Sequence, residues 1–382
     1  MKRLFLSAAV ILVGMAAVSC VDKNYGGEFK EDTTVSVDIK TDESENSLSD
    51  YLGLGEFSND ELVTDPISGE ITIVSPETQS NSADVDLNKF NSGAEVEIPA
   101  VCDMKVSVPI SKKFPKDDIF FALDRPHFVI KVKNEFGKPF KYTSVITSKT
   151  GKKFNVEAEI PAVDGFVEVY VDETGNFLKL AELGDTKVNA KPVEKFAEMF
   201  AGSPDELPIT EAKIKCLEVP KSGEALSSEP VTPIEFSARS FFPFTVKNGI
   251  PFTMRRSFDL TGVNFAKILK DNGLKAITGV EAAVLVKHNL PLQLRLSLVE
   301  PQDVKVECPD ILAAKGEAYE SQVIYVKASS EAGVTSLTEA VVDITATLKG
   351  SRATYAVNED ATIILDIDKD DNGKQLVKVT GK

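Results

Sequence analysis

The sequence predicts a mainly β protein: two or more antiparallel β-sandwich-like modules with two short helices. Three observations predict it. From Glu95 onward apolar residues alternate with polar ones in short runs, the period of a half-buried strand. Glycine-bearing turns separate those runs, supplying positive φ where a chain reverses. A length of 382 residues exceeds what one hydrophobic core organises, while 42% apolar and 27% charged residues are those of a chain that folds in water.

Taken in order, the chain opens with Lys2 and Arg3 before an apolar stretch, Leu4 to Val18, that ends at Ser19-Cys20. This is the layout of a secretory signal over 1–19, and the stretch is shorter than the roughly 20 residues that span a bilayer. Ala17-Val18-Ser19-Cys20 is similar to a bacterial lipobox, with Ala17 where leucine is usual, so Cys20 is the expected lipidation site. An ordinary secretory signal with an incidental Cys20 is the alternative. Residues 20–30, with Gly26-Gly27, read as a lipidated tether.

An acidic N-terminal β module is expected over 31–100. Residues 21–100 hold 19 Asp+Glu against 4 Lys, whereas 104–153 hold 12 Lys+Arg against 4 acids. The contrast reads as two unlike solvated faces, as an acidic module docked on a basic one, or as a basic strip for anionic polysaccharide. Within the module, Val35, Val37 and Ile39 alternate as a strand, and Ser47 to Leu54 has the signals of a short helix. Glu61 to Val74 reads as a hairpin around Asp65-Pro-Ile-Ser-Gly69. Asp32-Thr33-Thr34 is similar to a short O-glycosylation sequon, which marks Thr33.

Two β-sandwich-like modules are expected next, over 101–235 and 236–382. Strands are predicted at Glu95–Ile98, Met104–Val108, Phe128–Val132, Tyr142–Ile146 and Phe166–Val171. Helical spacing appears at Val193, Phe196, Ala197 and Phe200, after Pro192 and before Gly202, and again at Phe265, Ile268 and Leu269 before Asn272-Gly273. A loose repetition joins these modules: Val132-Lys-Asn134 before Pro139-Phe140, Val246-Lys-Asn248 before Pro251-Phe252, and Val286-Lys287 with Asn289 before Pro291-Leu292. Each reads as strand, Asn-led corner, Pro-started strand. Glu97-Ile-Pro-Ala-Val101 recurs as Glu159-Ile-Pro-Ala-Val163.

The lipobox-like Ser19-Cys20, the acidic module with its Gly69-Glu-Ile-Thr-Ile strand and the Asn289–Pro291 corner together resemble uncharacterised β-rich envelope lipoproteins of Bacteroidota. That resemblance implies an outer-membrane lipoprotein and a non-enzymatic role, and it assigns no catalytic residue.

Residue by residue, the chemistry is sparse. Two histidines and no tryptophan leave little for the commonest acid–base, metal or sugar-stacking sites. A net charge of −16 opposes nucleic acid as a partner. His127 and His288 read as structural, and Lys149-Thr-Gly151 as a turn. Asp368, Asp370 and Asn372 form the first half of a calcium loop, but Val379 stands where the closing acid belongs, and a hairpin between Ile363-Ile-Leu365 and Leu376–Val379 competes for the same residues. Cys102, Cys216 and Cys308 fit no metal spacing. They read as small buried hydrophobes or as one disulfide with a thiol left over. Phenylalanines such as Phe241, Phe242 and Phe244 mark a core, or else an apolar groove. No cofactor is expected. The expected function is a non-enzymatic, lipid-anchored structural or binding protein, held to the membrane by its N-terminal lipid and meeting an envelope protein or a glycan. A carrier or receptor for an apolar or glycan ligand is the alternative, and a glycan hydrolase the third.

Overall fold

The computed structural model describes residues 33–36, 44–47, 57–58, 60–79, 81–102, 104–112, 114–163, 165–175, 186–219, 231–260, 265–271, 273–316, 319–357, 362–368 and 377–381. It is mainly β, with several antiparallel sheets and a few short helices, as the alternation predicts. Two compact units are present, one within 56–246 and one assembled from residues up to 55 and from 247 onward.

In the first unit a sheet runs Thr186–Asn189, Gly165–Val171, His127–Asn134, Val231–Pro243, Ile71–Val74, Leu62–Thr64. The long strand Val231–Pro243 takes two short neighbours on one side: Phe241 pairs with Val74, and Ile234 with Ala83 of Asn81–Asp86. A second sheet runs Lys153–Ile160, Phe140–Thr147, Glu206–Cys216, Glu95–Glu97. Buried residues alternate strictly along Phe140–Thr147. Tyr142 from this sheet meets Phe236 from the first, ring centroids 5.8 Å apart, so the two sheets pack as a sandwich.

Helices and aromatics close the interior. Phe120, in the helix Asp118–Ala122, stacks on Phe200 at 4.4 Å, and Phe242 and Phe128 meet Phe200 edge-on at 5.5 and 5.7 Å. The predicted helix after Pro192 is a 3-10 turn, Phe196–Phe200, entered through Lys195 at φ 58°. At three residues per turn Phe196 and Met199 share a face, and Phe200 beside them is buried as well. Among Phe241, Phe242 and Phe244, the last two are wholly buried, which answers the core reading.

Three expectations need correction. The cuts at 100 and 235 fall inside the first unit, because Val231–Pro243 crosses position 235 and pairs with strands of the supposed acidic module. Backbone ladders, which composition does not reveal, join that segment to the rest. The ion pairs described for the basic stretch do not reach the acidic one: Lys133 pairs with Glu135 and Glu235, Lys141 with Glu157, and Lys153 with Glu211. The third concerns the pentapeptide repeat. Pro99 opens a helix, Pro99–Cys102, whereas Pro161 sits in a turn closed by Val163 N donating to the Pro161 carbonyl.

The second unit has one sheet in the order Thr33–Ser36, Val377–Gly381, Ile277–His288, Glu320–Val334, Lys305–Glu307. A second sheet runs Phe252–Asp259, Glu339–Leu348, Leu292–Glu300. Here too a long strand takes two short ones in succession: Ile277–His288 pairs with Val377–Gly381 over its first half and with Thr362–Ile367 over its second. The hairpin expected around Asp371-Asn-Gly373 is therefore overturned, since its two arms lie along a common neighbour. Ser44–Ser47 pairs with Thr362–Ile367, so N-terminal strands complete a C-terminal unit. The helix at Phe265–Asp271 forms as read and stops before Gly273 at φ 66°. The helix expected over Ser47 to Leu54 lies outside the described residues beyond Ser47, which ends a strand.

The Asn-led corners are present. Asn134 Nδ2 donates to the Pro161 carbonyl at 2.7 Å, and Asn248 Nδ2 to the carbonyls of Gly350 and Arg352. At the third corner His288 takes this role, its Nδ1 accepting from Leu290 N at 3.2 Å. Another turn is sharply constrained: Gly175 has φ 66°, its N–H donates to Asp172, and an added Cβ would lie 2.9 Å from Pro192 and 3.1 Å from the Ala190 carbonyl. Gly175→Ala is therefore expected to cost about 2 kcal/mol, from left-handed backbone and overpacking together, measured by urea unfolding. A loss below about 0.5 kcal/mol would show that the turn relaxes freely.

Candidate functional site

The site begins with a parting of strands. Leu292–Glu300 is an edge strand, paired on one side with Glu339–Leu348. After Glu300 the chain reverses and returns antiparallel, and Leu294 and Ile311 exchange both backbone hydrogen bonds at 2.9 Å. Between those ends the return arm leaves, and Lys305–Glu307 pairs with Ser329, Ala328 and Lys327 in the other sheet. Parting the arms opens a groove of about 710 Å³. Its size is that of a small-ligand site, about 300–1,000 Å³.

The groove combines an aliphatic lining with charges that are already paired. Leu296 and Leu298, half-buried, continue the inward row of the fully buried Leu292. Asp310 receives Arg295 through both oxygens, at 2.9 and 3.0 Å, and Gln293 Nε2 at 2.6 Å. The Arg295 guanidinium, with help from Gln293, holds the Asp310 carboxyl below its ordinary range. Lys327 pairs with Glu281 at 3.0 Å. Tyr325 stands 66% exposed beside the groove, and burial pushes the Cys308 thiol up to about 11. A thiol so raised stays protonated near neutral pH and is a poor nucleophile.

Of the groove residues, the sequence singles out Cys308 alone, and as a buried or paired thiol rather than as part of a site. The signal that was available is the interval between the strands ending at Glu300 and starting at Glu320, where Pro301 and Pro309 break the alternation.

The residues that were marked lie elsewhere. Cys20 lies outside the described residues, and Thr33 pairs with Gly381 in the edge strand Thr33–Ser36. Asp368 is half-buried and its N–H donates to the Ala283 carbonyl, whereas Asp370 and Asn372 lie outside the described residues. Among the described residues no three of His, Cys, Asp or Glu converge as a metal site. Lys149-Thr-Gly151 is a turn, with Lys149 Nζ on the Gly202 carbonyl. Cys102, Cys216 and Cys308 remain thiols.

His127 is buried at the start of its strand, its ring parallel to Phe241 at 5.0 Å. Nδ1 lies 3.2 Å from the Arg125 carbonyl, which only accepts, so the proton sits there. Nε2 is buried with no partner among the described residues, and burial lowers the imidazole to about 4.

Among the described residues no helix is long and apolar enough to cross a membrane. No family model and no curated protein matches the chain. Among solved structures, a protein of Parabacteroides distasonis ATCC 8503, provisionally described as secreted, aligns with 92% of this chain and 99% of its own, at 11% identity and a TM-score of 0.46. A structure of infectious bursal disease virus, Gx strain, aligns with 83% of this chain and 81% of its own, at 10% identity and a TM-score of 0.14. At these scores neither likeness carries fold or function across to this chain.

Proposed function

We propose that this protein is a non-enzymatic, lipid-anchored component of a bacterial outer membrane, and that the groove between the parted strands is where it binds. The observation that carries the binding role is the groove itself: aliphatic side chains beside a charged network whose members already hold one another. The pairing also speaks for a non-catalytic site. A general acid needs a carboxyl whose proton is retained near neutral pH, and Arg295 moves Asp310 the other way. Tyr325 favours the second reading, a receptor for a glycan that would rest on the exposed ring.

Anchoring rests on Ser19-Cys20 at the end of the apolar stretch. Each buried methylene of an acyl chain contributes about 0.8 kcal/mol, so two or three chains hold a protein firmly. Wild-type protein in cells is expected in the membrane pellet, released by detergent alone, and Cys20→Ala in the soluble fraction. Retention of the variant in the pellet, without metabolic incorporation of labelled palmitate into wild type, would remove the anchor. External protease on intact cells, followed by cross-linking, then separates the faces. Protection with envelope-protein partners points to the periplasm, and digestion points outward.

A further inference from the structure

We propose that the groove accepts an extended peptide, which adds a strand along the free edge of Leu292–Glu300; this rests on the reading of the groove as the binding site. The argument starts from backbone direction. Leu294 aims its N–H and C=O at Ile311, away from the strand Glu339–Leu348. In an antiparallel strand these groups alternate in direction residue by residue, so those of Leu296 and Leu298 face the same way as those of Leu294. Where they point, the return arm has gone. Among the described residues no backbone group meets them from that side.

Side-chain burial agrees. Leu292 and Leu294 are buried, whereas Leu296 and Leu298 on the same face are only half-buried, as is Val306 across the gap. This edge therefore lacks a length of strand, in hydrogen bonds and in apolar cover together. A peptide in extended form supplies both: its main chain meets the edge, and alternate side chains cover Leu296, Leu298 and Val306. A glycan fits less well, because it is recognised by planar polar side chains with spare hydrogen bonds. Here Arg295, Gln293 and Asp310 occupy one another, and Lys327 is held by Glu281. At about 3.4 Å per residue, the edge from Arg295 to Leu298 takes four or five peptide residues.

The test is fluorescence anisotropy with the full chain and a labelled pentapeptide library, Thr-X-Thr-X-Thr, where X is Ala, Val, Ile, Leu or Phe. Saturable binding by at least one member is expected. N-methylation of the peptide nitrogens on one edge should weaken it by about tenfold, and methylation on the other edge should leave it unchanged. Leu296→Pro should weaken it similarly, because it removes a donor aimed at the groove and none aimed at Glu339–Leu348. If that variant melts below wild type, Leu298→Asp replaces it, placing a charge in the apolar lining. No binding by any member to a chain with wild-type melting overturns the proposal, as does binding that ignores N-methylation. A glycan array run in parallel separates the two failures. Glycan binding lost in Tyr325→Ala leaves the groove as a binding site and removes the peptide, and silence in both experiments removes the groove as well.

Discussion

Phe200→Ala is expected to destabilise the 56–246 unit by about 4 kcal/mol, the largest effect of any single side-chain truncation proposed for this chain. Phe200 is fully buried where four elements converge: it stacks on Phe120 at 4.4 Å with planes 12° apart, and meets Phe242, Phe128 and Phe196 edge-on between 5.5 and 5.7 Å. Removing the ring deletes its transfer free energy and leaves a cavity. That cavity closes poorly, because its walls belong to two strands, a helix and a 3-10 turn, each pinned by its own hydrogen bonds. In a unit of this size the loss corresponds to a fall in Tm of roughly 10 °C. Phe166, 38% exposed on a strand, is the control, and its truncation should cost less than about 1 kcal/mol. The two variants are compared by urea unfolding. Equal losses would mean that the phenylalanine cluster is not the keystone of the unit.

Acid should weaken the same unit through His127. Its folded pKa, about 4, lies below the unfolded value near 6.5, so the folded state favours the neutral ring. The stability this group contributes is complete above pH 6.5, and is lost as the pH falls from there toward 4. The difference of about 2.5 units amounts to roughly 3 kcal/mol over that window. Burial is the largest cause. The Arg125 carbonyl and the charge of Asp172 oppose it by favouring the proton, and Phe241 and Tyr170 supply only ring faces. His127→Phe keeps the stacked ring and removes the titration. The stability difference between wild type and variant should therefore move by about 3 kcal/mol against wild type as the pH drops from 7 to 4. Carboxylates held low by lysine, such as Glu157 and Glu211, also lose stability in acid, but they do so in both proteins and cancel. Parallel curves would show that His127 opens to water before it titrates.

Local pattern was legible in the sequence wherever local chemistry decides the outcome. Alternation at Phe128–Val132, Tyr142–Ile146 and Phe166–Val171 lies inside observed strands, of which Phe140–Thr147 is half-buried with period two while the other two are buried on both faces over much of their length. Asp65-Pro-Ile-Ser-Gly69 forms the hairpin turn expected of it, the Asp65 carboxylate accepting from Ile67 and Ser68 N and Gly69 at φ 69°. Asn134 makes its corner locally, accepting from Phe136 N and donating to the Lys138 carbonyl, whereas Asn248 makes its own through the distant carbonyls of Gly350 and Arg352.

Where long-range pairing decides, the sequence was silent or misleading. Glu-Ile-Pro-Ala-Val ends one strand in a helix and another in a turn, since five residues do not choose their neighbours. Composition placed boundaries at 100 and 235, yet Val231–Pro243 holds strands from 71–86 and spans the second of them. Ile363–Leu365 and Val377–Val379 look like two arms of a hairpin, but each found a better partner in Ile277–His288. The groove is the extreme case. Gln293, Arg295 and Asp310 are ordinary residues in an unremarkable stretch, and they become a site only because Lys305–Glu307 leaves one sheet for the other. By itself the sequence determined the β class, the turns, the corners and the expectation of a lipid at Cys20, all of which are properties of short segments. Tertiary structure alone decided the two units and the open edge at Leu296, because strand partners far apart in the chain compete for the same hydrogen bonds, and only the folded arrangement shows which pairing is left unmade.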